Sequence, residues 1–518
     1  MTDLQRNYEP YRKGYIIMLP IMKPFIGGEY IESKATAFFT IHDPSTGKPI
    51  ARVPQCTQEE MDAAIAAAKA AFPAWKDTPV KKRAAIMRKL YNLIERDLEE
   101  LTRLVATENG KCWSEAAGDV GKALEMTELA CSAPSLLMGE SLMDTSSGYD
   151  TTLYREPIGV FAGIAPWNFP AMIPVGWMAP LAIVCGNTFV LKPAPTTPLT
   201  CLKIAALYKE AGIPDGVFNI VPCETEVAST LLTHPDVRGI TFVGSTNTGR
   251  HVYATAAANG KRVQCLCEAK NHALVLSDAP IGRTAAGIMN SAFGCAGERC
   301  MALSVVVAEE SIADELVAEL VRLCKQQKVG PAYDKSSNLG PVGNKAHMER
   351  ILARIQGGVD EGAKLVLDGR DVVVEGYEDG YYIGHTIFDH VTEEMEVGAR
   401  EIFGPVLCIK RVKDFEEGLA MMNRNLFANG SVIFTQSGYY AREFAKRTDG
   451  GMVGVNVGIP VPIGVFPFSG HKNSFFGDLH CHGKDAFRFY TESKCVTTRW
   501  FDEEEMKKEK VDTWDGSL

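Results

Sequence analysis

From residue 154 onward the chain repeats one pattern: a short apolar run, a turn rich in glycine or proline, then a helical stretch. Runs 159–164, 188–191, 218–221, 239–243, 263–267 and 273–276 are too short for helices and apolar enough to be buried on both faces. Strands separated by helices cannot close as hairpins. They pair in parallel, with the crossovers covering the sheet. A second series follows, with strands at 303–307, 406–412 and 430–434 and helices at 313–327 and 345–359. Ahead of both lie helical patterns at 61–72, 81–96 and 98–109. Thr57 and Glu60 have the spacing of a capping box before the first of them. The expected class is α/β with parallel sheets.

At 518 residues the chain exceeds one ordinary core and implies several domains. Its net charge of −10 gives no attraction to nucleic acid or to an anionic membrane. No run has the apolar length of a membrane-spanning helix. The 14 cysteines are scattered, and some end apolar runs, as in Leu181-Ala182-Ile183-Val184-Cys185. That usage fits reduced thiols and a cytoplasmic setting. There is no C-x-x-C pair, and His480-Cys481-His482 has no second cluster near it, so no metal is expected. Residues 15–22 are apolar but short, interrupted by Pro20 and without a small-residue cleavage site. Residues 1–22 are expected to be a tail, with the folded body beginning at Lys23. A second tail, 501–518, carries Glu503-Glu504-Glu505.

The window with most chemical content is Phe293-Gly294-Cys295-Ala296-Gly297-Glu298-Arg299-Cys300. Glycines let the backbone approach a reacting carbon, and nearby N–H groups can hold an oxyanion. A cysteine is as readily a small buried hydrophobe, so the window alone leaves both readings open. Phe242-Val243-Gly244-Ser245 ends a strand at a small-residue turn, and the helix start beyond it could take a pyrophosphate. It is not a G-x-G-x-x-G fingerprint. Lys192 ends an apolar strand before Pro193, where it could reach ribose hydroxyls or simply lie at the surface.

Five motifs follow one another in order. They are Ile164-Ala165-Pro166-Trp167-Asn168-Phe169-Pro170, Leu191-Lys192-Pro193, Phe242-Val243-Gly244-Ser245, the segment from Gly294 to Cys300, and Glu401-Ile402-Phe403-Gly404-Pro405. This ordered set resembles the aldehyde dehydrogenase superfamily over nearly all of residues 23–500. Ala269-Lys270-Asn271-His272, Arg299-Cys300-Met301-Ala302-Leu303-Ser304, Gly454-Val455-Asn456-Val457 and Ser474-Phe475-Phe476-Gly477-Asp478 resemble its methylmalonate/malonate semialdehyde dehydrogenase branch, which is CoA-acylating.

The resemblance implies an aldehyde dehydrogenase fold. A Rossmann-like NAD(P)-binding domain would use 23–140 and 160–270, and a catalytic domain 271–470. Strands in 141–159 and 485–500 would form a β oligomerisation arm, with Phe487 and Phe489 alternating along the second. Dimers or tetramers are then expected. The resemblance also implies Cys300 as nucleophile, and Asn168 with the Cys300 N–H as the oxyanion site. Ala165, Pro166, Trp167, Lys192, Pro195, Gly244, Ser245, Glu401 and Phe403 would hold the cofactor. A thioester on Cys300 would be passed to coenzyme A.

Three departures bear on this. Hydrolytic members carry a water-activating glutamate four residues before the lysine that aligns with Lys270, and that position is Leu266. Two residues on, Glu268 stands where relatives have glycine. It is either a relocated base or a bystander facing solvent or pairing with Arg299. Second, the branch binds a substrate carboxylate with two arginines. Here Arg299 is kept and Lys122 takes the other place, retaining the charge but not the bidentate fork. Third, Pro195 replaces a glutamate that binds the adenosine ribose in many NAD-preferring relatives. A carboxylate there would repel a 2′-phosphate, so NADP is expected to be tolerated beside NAD. The other readings left open are hydrolytic release to a free acid and a non-catalytic structural relative.

Overall fold

The structure, a computed structural model, describes residues 19–507. Most of the expected tail 1–22, and residues 508–518 of the second, lie outside them. Pairing begins ahead of Lys23: Met22 donates to the Arg52 carbonyl at 2.8 Å and Arg52 to the Pro20 carbonyl at 2.9 Å.

Among the described residues, the first sheet has eight strands. Its centre runs Phe218–Ile220, Thr188–Lys192, Val160–Ile164, Val237–Val243 and Arg262–Leu266, all parallel. Strand order departs both ways from Val160–Ile164, so its carboxyl end is a switch point where a crevice opens. Short antiparallel strands blunt both edges, Phe25–Ile26 with Glu29–Tyr30 on one side and Phe475–Phe476 on the other. The second sheet has seven strands and holds Asn271–Val275, Leu303–Glu309, Val406–Val412 and Gly430–Phe434 at its centre.

The helices follow the sequence pattern. Gln58–Lys76 starts at the capping box, with Thr57 accepting from Glu60 N–H and Glu60 accepting at 2.7 Å from Thr57 N–H. One irregularity was not foreseen. Met172–Met178 is a π-helix, and Asp119 Oδ1 draws off the Met172 N–H at 2.7 Å. Such widened turns concentrate at functional sites.

A third sheet joins Glu140–Ser146, Tyr149–Pro157 and Thr491–Arg499 in antiparallel order. The alternation expected of Phe487 and Phe489 is not part of it. Both lie in the helix Gly483–Phe489 and are buried. Ala486, Phe487, Phe489 and Tyr490 are spaced for one helix face, and Phe489 packs edge-on against Phe161 with ring centroids 5.6 Å apart. As a helix the segment packs on Phe161 of the first sheet and on the helices Ala133–Leu136 and Ala179–Val184. No helix among the described residues is long and apolar enough to cross a membrane.

Candidate active site

A cleft of about 540 Å³ opens off the carboxyl ends of the first sheet's central strands. Four adjacent strands deliver its wall. Val160–Ile164 runs into Ala165, Pro166, Trp167 and Asn168, and Thr188–Lys192 ends in Lys192, with Pro195 beyond. Val237–Val243 leads to Gly244 and Ser245, and Arg262–Leu266 to Cys267 and Glu268. The opposite wall comes from the second sheet's side, with Cys300, Glu401 and Phe403. Twelve of the fourteen residues singled out from sequence line this one cleft. Lys122 and Arg299 do not.

Cys300 stands on a tightly held turn. Its carbonyl accepts from Asn271 Nδ2 at 2.9 Å and from Asn429 Nδ2 at 3.2 Å. Just ahead, Cys295 and Ala296 are both left-handed at φ 52°, a costly backbone that such pinning sustains. Burial pushes the Cys300 thiol up to about 12, and the Glu401 charge adds to this. The backbone N–H groups of Cys300 and Met301 pull the other way. The resting group is therefore a protonated thiol beside donors ready for negative charge. Asn168 is buried, and its Nδ2 donates to the Glu298 carbonyl at 3.0 Å, which fixes the amide next to the Cys300 turn.

Glu401 Oε1 accepts from Ala269 N–H at 3.0 Å. Burial, reinforced by the charge of Glu268, pushes this carboxyl up to about 8. The carboxylate, which is the form that accepts hydrogen bonds from a ribose diol, therefore gains population only as pH rises through about 8. The apparent KM for the dinucleotide should fall across that pH range in the wild type and stay flat in Glu401→Gln. A wild-type KM that rises instead would show that Glu401 does not act as an acceptor. Phe403 has φ 60°, and its carbonyl accepts from His347 Nε2 at 2.6 Å. Trp167 packs edge-on against both rings. His347 is pushed down to about 4 by burial, so it is neutral and donates through Nε2. Sequence reasoning missed His347 and its neighbour Arg350, which also lines the cleft. They belong to a helix, Lys345–Asp360, that carried only an amphipathic signal.

At the other end Lys192 is buried, and desolvation lowers its pKa. Ser245 caps the helix Thr246–Ala258. A buried cation, a helix N-terminus and a long cleft between them fit a dinucleotide with two ribose groups and a diphosphate.

The pairing with Arg299, one of the alternatives for Glu268, is not present. Arg299 Nη2 binds Glu115 at 2.9 Å and its Nε reaches Cys295 Sγ at 3.2 Å, while Glu268 Oε2 accepts from Thr246 N–H at 2.9 Å. The reason is placement. Glu115 lies on the helix Trp113–Cys131 and reaches the turn before Cys300, whereas Glu268 leaves the first sheet on the cleft side. The same helix places Glu115, Asp119 and Lys122 on one face, at i, i+4 and i+7. The Lys122 Nζ meets Glu125 at 2.6 Å.

Comparison with known proteins agrees with this geometry. A sequence model of the aldehyde dehydrogenase family matches residues 30–496. Malonate-semialdehyde dehydrogenase 2 of Geobacillus kaustophilus is 50% identical over 480 residues, covering 92% of this chain and 99% of that protein. Malonate-semialdehyde dehydrogenase 1 of Oceanobacillus iheyensis is 47% identical, covering 93% and 98%. Among solved structures, a putative methylmalonate-semialdehyde dehydrogenase from Sinorhizobium meliloti complexed with NAD superposes with a TM-score of 0.92. Its identity is 40%, over 94% of this chain and 99% of that one. The methylmalonate-semialdehyde dehydrogenase of Oceanimonas doudoroffii has a TM-score of 0.92 at 42% identity, with the same coverage.

Proposed function

Since the chain belongs to the aldehyde dehydrogenase family, we propose that it oxidises a small anionic aldehyde of the malonate or methylmalonate semialdehyde type and passes the acyl group to coenzyme A. The observation that carries this is the convergence of Cys300, Asn168, Lys192, Ser245 and Glu401 on one cleft. Lys192 would bind the adenosine ribose, Ser245 the diphosphate and Glu401 the nicotinamide ribose, with Ala165, Pro166, Trp167, Pro195, Gly244 and Phe403 as walls. Bound there, NAD supplies the hydride acceptor. Pro195 brings no carboxylate of its own against a 2′-phosphate, which supports tolerance of NADP, and the carboxylate charge acting on Lys192 is that of Glu224.

The Cys300 sulfur adds to the aldehyde carbon as the C=O π bond opens, and the S–H proton ends on the former carbonyl oxygen. The Asn168 amide and the Cys300 N–H take the oxygen's developing charge, an interaction stronger in the transition state than in the ground state. Arg299 and Lys122 would orient the substrate carboxylate by exchanging their present partners, Glu115 and Glu125, for it. Oxidation leaves a thioester on Cys300, and a second thiol can take the acyl group from it.

Release to coenzyme A rather than water is supported by Leu266. It is buried in a strand and pairs with Phe475, so the position that activates water in hydrolytic relatives is apolar. The competing reading is hydrolysis with Glu268 as base. That residue shares the cleft with Cys300, but its carboxylate is turned to Thr246 N–H. Turnover of malonate semialdehyde with NAD should yield an acyl-CoA, identified by mass, and should slow sharply when coenzyme A is omitted. Free acid formed at the same rate with or without coenzyme A would overturn the acylating reading.

The cofactor-binding unit would comprise 23–140 and 160–270, and the catalytic unit 271–470. The third sheet would serve homo-oligomerisation as a dimer or tetramer. Its strands expose Leu142, Met143, Tyr154 and Val496, and exposed strands of this kind are ordinarily covered.

A further inference from the structure

Glu268 is the one carboxylate in the cleft that the reaction sequence above does not use, and the family that the chain resembles carries glycine there. Its Oε2 accepts from the N–H of Thr246, the first residue of the helix Thr246–Ala258. That amide is buried, so it needs an acceptor. The cap residue cannot supply one, because the Ser245 side chain serves Thr248, one residue pair further into the helix. A helix of this length favours negative charge at its start by its dipole as well as by its unpaired N–H groups. Glu268 supplies that charge from within the chain.

Two nearby arginines are engaged elsewhere. Arg250, on the same helix, donates to Asn473 Oδ1 at 3.0 Å, and Arg299 is held by Glu115. Glu401 lies close enough for the Glu268 charge to disfavour its ionisation, and it binds the N–H of Ala269, the very next residue. Two carboxylates therefore share this end of the strand. Glu268 remains half-buried and lines the cleft beside Ser245 and Thr248, so it can swing aside without unfolding anything.

We propose that Glu268 is a built-in competitor for the cofactor's diphosphate. It holds the start of Thr246–Ala258 when the cleft is empty, must be displaced when a dinucleotide binds, and so lowers cofactor affinity and speeds cofactor departure. This rests on the reading of the cleft as a dinucleotide site. It differs from the relocated-base reading in acting on binding, through charge, rather than on acyl release.

Glu268→Gln tests it, because the amide keeps an acceptor for Thr246 N–H and removes the charge. Dissociation constants for NAD, ADP-ribose and adenosine would be measured calorimetrically, and NADH release by stopped-flow fluorescence. The two diphosphate ligands should bind about tenfold more tightly to the variant, as expected for loss of one nearby like charge in a half-buried site. Adenosine, which has no phosphate, should bind unchanged, and NADH should leave correspondingly more slowly. Glu268→Gly, which removes the competing group altogether, should tighten diphosphate binding at least as much. Unchanged or weaker diphosphate binding in both variants overturns the proposal. Equal tightening of adenosine overturns it too, because that would mean a general change in the cleft. If wild-type protein binds none of the three ligands, the cofactor reading itself fails, and this proposal with it.

Discussion

Cys300→Ser should reduce NAD(P)H formation by roughly 10⁴-fold or more while leaving the fold and dinucleotide affinity intact, the scale seen when a covalent nucleophile is removed. Serine is nearly isosteric, and the turn is held through the Cys300 carbonyl by Asn271 and Asn429, neither of which senses the side chain. The loss is chemical. Burial already keeps the thiol protonated at rest, with its pKa pushed up to about 12, and the adjacent backbone N–H groups and the Lys111 charge favour the thiolate only partly. An alcohol starts from a far higher pKa and leaves less readily from the acyl intermediate. The competing thiol in the same segment is Cys295, which is buried and engaged by Arg299 Nε. Retention of a tenth or more of wild-type turnover in Cys300→Ser would transfer the nucleophile's role to another residue. Complete loss, with cofactor binding unchanged in the same preparation, would also exclude a non-catalytic structural role for the wild-type chain.

Asp119→Asn should be among the most destabilising single substitutions in the chain. Lys111 Nζ and Asp119 Oδ2 are 2.9 Å apart, with side chains 2% and 0% exposed. Lys111 also lies 3.4 Å over the Phe169 ring, next to Asn168. Removing one charge of such a pair strands the other in a low-dielectric interior, at a cost of about 3–5 kcal/mol. Asparagine can still accept from Met172 N–H, so the π-helix start keeps its partner and the loss isolates the charge. Urea and thermal midpoints should both fall clearly below wild type. Replacing both partners by apolar residues, Lys111→Met with Asp119→Leu, should recover part of the loss, because no charge is then stranded. A single variant as stable as wild type would mean that water or another anion reaches Lys111.

Much of the candidate site was legible because its residues sit in short contiguous motifs at strand ends. Gly244-Ser245 and Lys192 are placed by the strand that immediately precedes each, so reading the strand locates the residue. Glu401 and Phe403 were legible only as a motif, since nothing local puts them opposite Cys300. His347 and Arg350 were not legible at all: they are two polar positions on an amphipathic helix whose pattern reports only which face is buried. Lys122 and Arg299 were read as binders of a substrate carboxylate, and the structure pairs them with carboxylates of the chain itself, Glu125 and Glu115.

The sequence by itself determined the alternation of strands and helices, the capping box at Thr57 and the small-residue turns. Each of these depends on sterics and hydrophobic periodicity within a few residues. Tertiary structure alone decided which charges meet. Arg299 finds Glu115 across 184 positions, and Glu268 turns to Thr246 rather than to Arg299. It also decided that Phe487 and Phe489 join a helix against the first sheet, not the arm strand. Such choices depend on what other segments leave uncovered or unpaired once the chain has packed, and no local preference carries that information.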